Sequence, residues 1–118
     1  MVGVSGVDDA DGPTTGTATR HFAIGHPAAD GHFPGDPIIP GAVLLREIAA
    51  AIRANDAAAG EGTVAYDIRL AKFHQPVRPG DTLEISWTTA AGGDVRFSCV
   101  LTGSRQPAVT GTLHPRKP

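Results

Sequence analysis

Aromatic residues are scarce in this chain: one tryptophan, one tyrosine and four phenylalanines in 118 residues. Its core must therefore be aliphatic, and a chain this short makes one domain that buries somewhat over ~60% of its unfolded surface. So modest a margin favours burying further surface in an oligomer. Cysteine is nearly absent. The single Cys99 excludes an internal disulfide and supplies no metal cluster; within an alternating strand pattern it reads as an inert packed thiol. Charge of either sign is close to balanced, with a net charge of −2 and no run of Lys or Arg. That gives no footprint for nucleic acid. Long apolar runs are also missing, so no segment is expected to span a bilayer. The first residues lack a basic segment followed by an apolar stretch, so no secretory leader is expected. A cytoplasmic protein with no nucleic-acid or membrane partner is the expectation.

What the chain does have is a clear order of elements. Residues 1–16 are rich in Gly, Asp and Thr without a period and read as a flexible tail; 17–114 form the domain and 115–118 a short tail. Thr17 to Gly25 predicts a first short strand through Phe22 and Ile24, flanked by His21 and His26, which read as ordinary polar residues. A helix is predicted from Gly41 to about Ala57, with Leu44, Leu45, Ile48, Ala51 and Ile52 on one apolar arc. Thr63 to His74 alternates Val64, Tyr66, Ile68 and Leu70 against polar neighbours, and a phase shift at Phe73 predicts a bulge there. Leu83, Ile85 and Trp87 mark the next strand, and Gly92-Gly93 a hairpin turn. Val95, Phe97, Cys99 and Leu101 mark another strand, and Val109, Gly111 and Leu113 the last. Periodicity alone gives the α+β class.

The most informative stretch is Gly31 to Ile52, GHFPGDPIIPGAVLLREIAAAI. Pro34, Pro37 and Pro40 deny it helix or central strand and stiffen it. His32 is thereby held in a fixed place. The loop feeds a helix whose first amides have no intrahelical acceptor, which suits an oxyanion or anion.

This stretch resembles the signature of the β-hydroxyacyl-acyl-carrier-protein dehydratases of the FabA/FabZ type. A second match is KFHQPVRPGDTL, with Lys72-Phe73, Pro76-Val77, Pro79-Gly80-Asp81 and Leu83. The resemblance runs over roughly residues 17 to 113. It implies a hotdog fold, an antiparallel sheet of about five to six strands wrapped round one long central helix, in dimers with sheets edge to edge. It further implies a dehydratase that removes water from a 3-hydroxyacyl thioester on acyl carrier protein, giving the trans-2-enoyl thioester, in fatty acid or polyketide biosynthesis. No cofactor or metal is implied. His32 corresponds to the catalytic base, and the backbone N–H of Gly41 to the donor at the thioester carbonyl. Phe33 and Pro40 flank the substrate, and Ile38, Ile39 and Val43 are candidates for an acyl tunnel. Lys72, Arg69 and Arg78 would offer positive charge to the phosphopantetheine-bearing carrier.

One position departs from the pattern. The family places an Asp or Glu fourteen residues after the histidine, and here that residue is Arg46. A guanidinium does not release its proton at ordinary pH, so it is a poor general acid. Glu47 is the candidate replacement, but one residue further turns it ~100° round the helix. Arg46 would then be a substrate-binding residue, for a carboxylate or phosphate. Two other readings stand beside the dehydratase: a half-site or non-catalytic hotdog subunit in a heterodimer with an active paralogue, and a hotdog thioesterase.

Overall fold

The computed structural model describes residues 14–24, 38–55 and 65–116. Their order is β1 (Thr14–His21), α1 (Gly41–Asn55), β2 (Ala65–Phe73), β3 (Thr82–Thr89), β4 (Val95–Leu101) and β5 (Pro107–Arg116). The five strands form one antiparallel sheet in the order β1-β3-β4-β5-β2, with α1 across one face.

Strand alternation sets which face the helix covers. Leu83, Ile85 and Trp87 of β3, Val95, Phe97 and Cys99 of β4, and Val109 and Leu113 of β5 are all buried. Leu44, Ile48, Ala51 and Ile52 of α1 close the core from the other side. The predicted arc is therefore the buried one, with Leu45 only packed at its margin. The opposite face of the sheet carries hydroxyls: Thr17, Ser86, Ser98 and Thr110 lie side by side across four strands.

Boundaries depart from the sequence reading at three places. β1 starts at Thr14 and ends at His21 because pairing with β3 defines it, not apolarity; Phe22 leaves the strand to enter the core, and Ile24 is 86% exposed. β5 runs on to Arg116, opposite Ala65, and an Arg116–Asp67 ion pair ties that end to β2. The bulge in β2 sits between Ile68 and Leu70, not at Phe73. Gly111 accommodates it: a Cβ there would lie 2.3 Å from the Leu70 carbonyl oxygen and 2.7 Å from the Phe97 ring. The Gly92-Gly93 turn closes as expected, with Gly93 at φ 101°.

Candidate functional site

The start of α1 is fixed by a partner distant in sequence. Ile39, fully buried, donates its N–H to the Val77 carbonyl at 2.8 Å, and Val77 is itself fully buried. Pro40 caps the helix through its carbonyl, which accepts from Val43 at 3.0 Å and Leu44 at 3.1 Å. Helix geometry leaves the Gly41 and Ala42 amides without an intrahelical acceptor. No acidic side chain stands in the first turn to neutralise the positive end of the helix.

Gly41 lines a groove of about 530 Å³ with Ile38, Ile39, Leu44, Phe73 and Val77, with the 74–76 segment at its rim; Ala42 does not line it. Its lining is mainly apolar. Phe73 comes from β2 and is half exposed. The ring packs close to the helix start: a Cβ on Gly41 would stand 2.9 Å from Phe73 Cζ, so the ring would have to shift. An apolar slot with free amide donors at one wall can hold an acyl thioester and polarise its carbonyl.

His32 and Phe33 lie outside the described residues, as does His26. Gly41 lines the groove, whereas Pro40 caps the helix and is not among the lining residues. Arg46 and Glu47 leave α1 in different directions. Arg46 is exposed at the rim of a second, smaller cavity of about 260 Å³ between α1 and the β2 edge, lined by Ala42, Leu45, Ala49, Tyr66, Ile68 and Leu113. It makes no ion pair among the described residues. Glu47 turns to the opposite edge of the sheet, where its Oε1 lies 3.4 Å from Arg20 Nε of β1. The buried Nε is not aimed along a hydrogen bond, and a pair about one-third exposed is worth at most ~1 kcal/mol.

The other expected residues divide. Ile38 and Ile39 do line the groove, while Val43 packs against the core. His21 is hydrogen-bonded to Thr82 Oγ1 at 2.8 Å, and His74 to Thr110 Oγ1 at 2.9 Å. Arg78 belongs to a turn in which its own N–H donates to Asp81 Oδ2 at 2.8 Å. Lys72 lies on the hydroxyl face opposite Thr110. Burial pushes the Cys99 thiol up to about 12, in keeping with an inert packed side chain. Among the described residues no group of side chains could hold a metal, and no helix is long and apolar enough to cross a membrane. Sequence reasoning missed Phe73 and the 74–77 segment as groove wall. The signal was present, since both lie in the second motif, but nothing local shows that this motif returns to the helix start.

Comparison with known proteins places this geometry. A family model described as ApeI-like, ApeI dehydratase, matches residues 12–112. The 3-hydroxyacyl-acyl-carrier-protein dehydratase FabZ of Ehrlichia canis is 37% identical over 93 residues, 70% of this chain and 62% of that protein. FabZ of Wolbachia is 32% identical over 102 residues, 81% of this chain and 71% of that protein. The chain thus spans less than two thirds of the Ehrlichia relative's length, and 54% of the Latilactobacillus sakei one. Among solved structures, the dehydratase heterocomplex ApeI:P from Xenorhabdus doucetiae superposes with a TM-score of 0.71 at 20% identity, over 87% of this chain and 88% of that one. The (R)-hydratase from A. caviae gives 0.70 at 18% identity, over 91% and 96%. At such identities the likeness speaks for the fold alone, which is the hotdog.

Proposed function

The chain belongs to the ApeI-like dehydratase family, and from that premise we propose that it removes water from a 3-hydroxyacyl thioester carried on acyl carrier protein, leaving the trans-2-enoyl thioester. The observation that carries this reading is the open helix-start amide of Gly41, a residue that lines an apolar groove. The thioester carbonyl accepts from the Gly41 N–H, which stabilises the charge that develops as C2 loses its proton. His32 takes that proton; an imidazole near its ordinary pKa is a competent base at neutral pH. The C3–O bond then breaks, and the departing hydroxide needs one proton to leave as water.

Glu47 and His32 are the two sources for that proton. Glu47 would have to leave Arg20 and the β1 side of the helix to deliver it. The imidazolium already holds the proton taken from C2, and returning it to the hydroxyl balances the reaction without a second acid. We assign the step to His32, with Arg46 as a substrate-binding residue. The working assembly is an oligomer, and its carrier partner docks through exposed positive side chains such as Lys72.

The test is enoyl formation from 3-hydroxyacyl carrier substrates of several chain lengths by purified protein, followed by mass spectrometry. His32→Ala should abolish it, and no turnover by the wild type at any chain length sinks the reading. Glu47→Gln separates the two proton sources: kcat within a few fold of wild type supports His32, whereas a loss of ~10²–10⁴-fold assigns the acid to Glu47.

A further inference from the structure

The turn after β2 brings one uncommitted polar group to a groove that is otherwise apolar. Of the described residues that line it, only His74 and Gln75 carry polar side chains. The His74 ring is engaged by Thr110 of the hydroxyl face, with Nε2 2.9 Å from Oγ1. Gln75, half-buried, is held differently. Its Nε2 donates to two backbone carbonyls where β5 begins, Pro107 at 2.9 Å and Gln106 at 3.2 Å. An amide nitrogen has two hydrogens and accepts nothing, so these bonds use it fully and fix which way round the amide stands. The remaining atom, Oε1, accepts from no group among the described residues.

We propose that Gln75 Oε1 accepts an N–H of the substrate's thioester arm, from the amide nearest the sulfur of a phosphopantetheine group. The identity of the arm rests on the dehydratase reading; the place of the acceptor rests on the groove. The thioester carbonyl belongs at Gly41, the lining residue with an open helix-start amide. Gln75 sits midway between two residues that touch this stretch: Phe73, whose ring packs over Gly41, and Val77, whose carbonyl takes the Ile39 amide. Two residues of extended chain span at most ~7 Å, so the Gln75 backbone lies within that distance of both. The first amide nitrogen of the arm is four bonds from the thioester carbonyl carbon, a reach of the same order.

The order of groups along the groove suits this placement. An arm tethered to a carrier outside crosses the rim at 74–76, and the fully buried Ile39 and Val77 leave the inner wall to apolar atoms of the acyl chain. An arm amide that enters an apolar groove loses its water, and an N–H left without an acceptor weakens binding. A neutral carbonyl held in place by two bonds at its far side supplies that acceptor without selecting for charge.

The test deletes the donor and keeps the shape. 3-Hydroxybutanoyl-N-acetylcysteamine carries the first amide of the arm and nothing beyond it; the 2-acetoxyethyl thioester of the same acid has oxygen in place of the N–H. Wild type should favour the amide substrate roughly three- to thirtyfold in kcat/KM, chiefly through KM, because the contact is the same in ground and transition states. In Gln75→Met the preference should fall to within about twofold. Loss of the tie to Gln106 and Pro107 slows both substrates together and lowers Tm, so the ratio between them is the readout that a purely structural clip leaves unchanged. A preference that survives in Gln75→Met overturns the proposal. So does equal turnover of the two substrates by wild type, a result that stands even where the variant does not fold. If wild type turns over no thioester, the dehydratase reading fails by itself, and the saturated butanoyl pair titrated by NMR decides Gln75: tighter binding of the amide by wild type but not by Gln75→Met supports the assignment, and equal binding by wild type overturns it.

Discussion

Replacing Gly111 by alanine puts one methyl group where the sheet has no space for it. The added Cβ would lie 2.3 Å from the Leu70 carbonyl oxygen and 2.7 Å from the Phe97 ring. Neither neighbour yields cheaply. The carbonyl belongs to the backbone of the bulge, and Phe97 is buried among Trp87, Val95 and Cys99. Relief requires β2 to move off β5 or the ring to leave its place in the core. Overpacking of this kind costs ~1–3 kcal/mol, and two rigid neighbours put Gly111→Ala at the top of that range. For a domain of this size ~3 kcal/mol corresponds to a fall in Tm of roughly 10 °C. Gly92→Ala is the control: nothing lies within 4 Å of its added Cβ and its φ is not positive. It should be neutral or gain up to ~1 kcal/mol through the unfolded chain. Thermal and urea unfolding by circular dichroism at one fixed protein concentration measures both. A Gly111→Ala protein that melts within about 2 °C of wild type would refute the packing argument.

Other expectations are equally direct. Gly41→Ala meets the half-exposed Phe73 ring, which can swing aside, so Tm should barely change; the methyl beside the free amides should lower kcat/KM by roughly ten- to a hundredfold. Equal losses of stability and activity would count against its place in the site. Ile48→Ala empties a fully buried position and should cost about 2–5 kcal/mol in urea titrations. The hydrogen bond from His114 holds the Asp94 carboxyl below the usual carboxylate range, and that from Arg116 does the same for Asp67. A depressed folded pKa contributes stability above the unfolded value of ~3.9 that is lost as pH falls through the folded one. Tm should therefore drop as pH falls below about 4, and more gently in Asp94→Asn; identical slopes would remove the assignment. Cys99, with its thiol pushed up to about 12, should react with thiol reagents only at the rate of unfolding.

Elements whose pattern reports burial directly were legible in the residues. The arc Leu44, Ile48, Ala51 and Ile52 and the alternation Leu83, Ile85, Trp87 both name the core correctly, because helix and strand periods decide which side chains leave water. β2 misled for the same reason. Its alternation of Tyr66, Ile68 and Leu70 implies a buried face, yet Ile68 and Leu70 stay about half exposed at an edge, and the bulge sends them to opposite faces. Bulge placement is set by the partner strand at Gly111, which the sequence of β2 does not contain. The directions of Arg46 and Glu47 were half legible. Their separation of ~100° follows from helix geometry, but which of them meets β1 depends on where the sheet lies.

The turn from His74 to Asp81 touches nearly everything that holds the groove in place. The Val77 carbonyl takes the Ile39 amide, His74 N–H donates to Ala108, and Phe22 is clasped from both sides by Gly80 and Asp81. Gly80 holds a left-handed φ of 97° to make that clasp. A loosened clasp tilts the helix amides without altering a single groove-wall side chain. Screens that rank variants by turnover would then score changes at Gly80 or Asp81 among the reaction's own residues, and only a melting curve taken alongside would tell a broken hinge-pin from a missing tool.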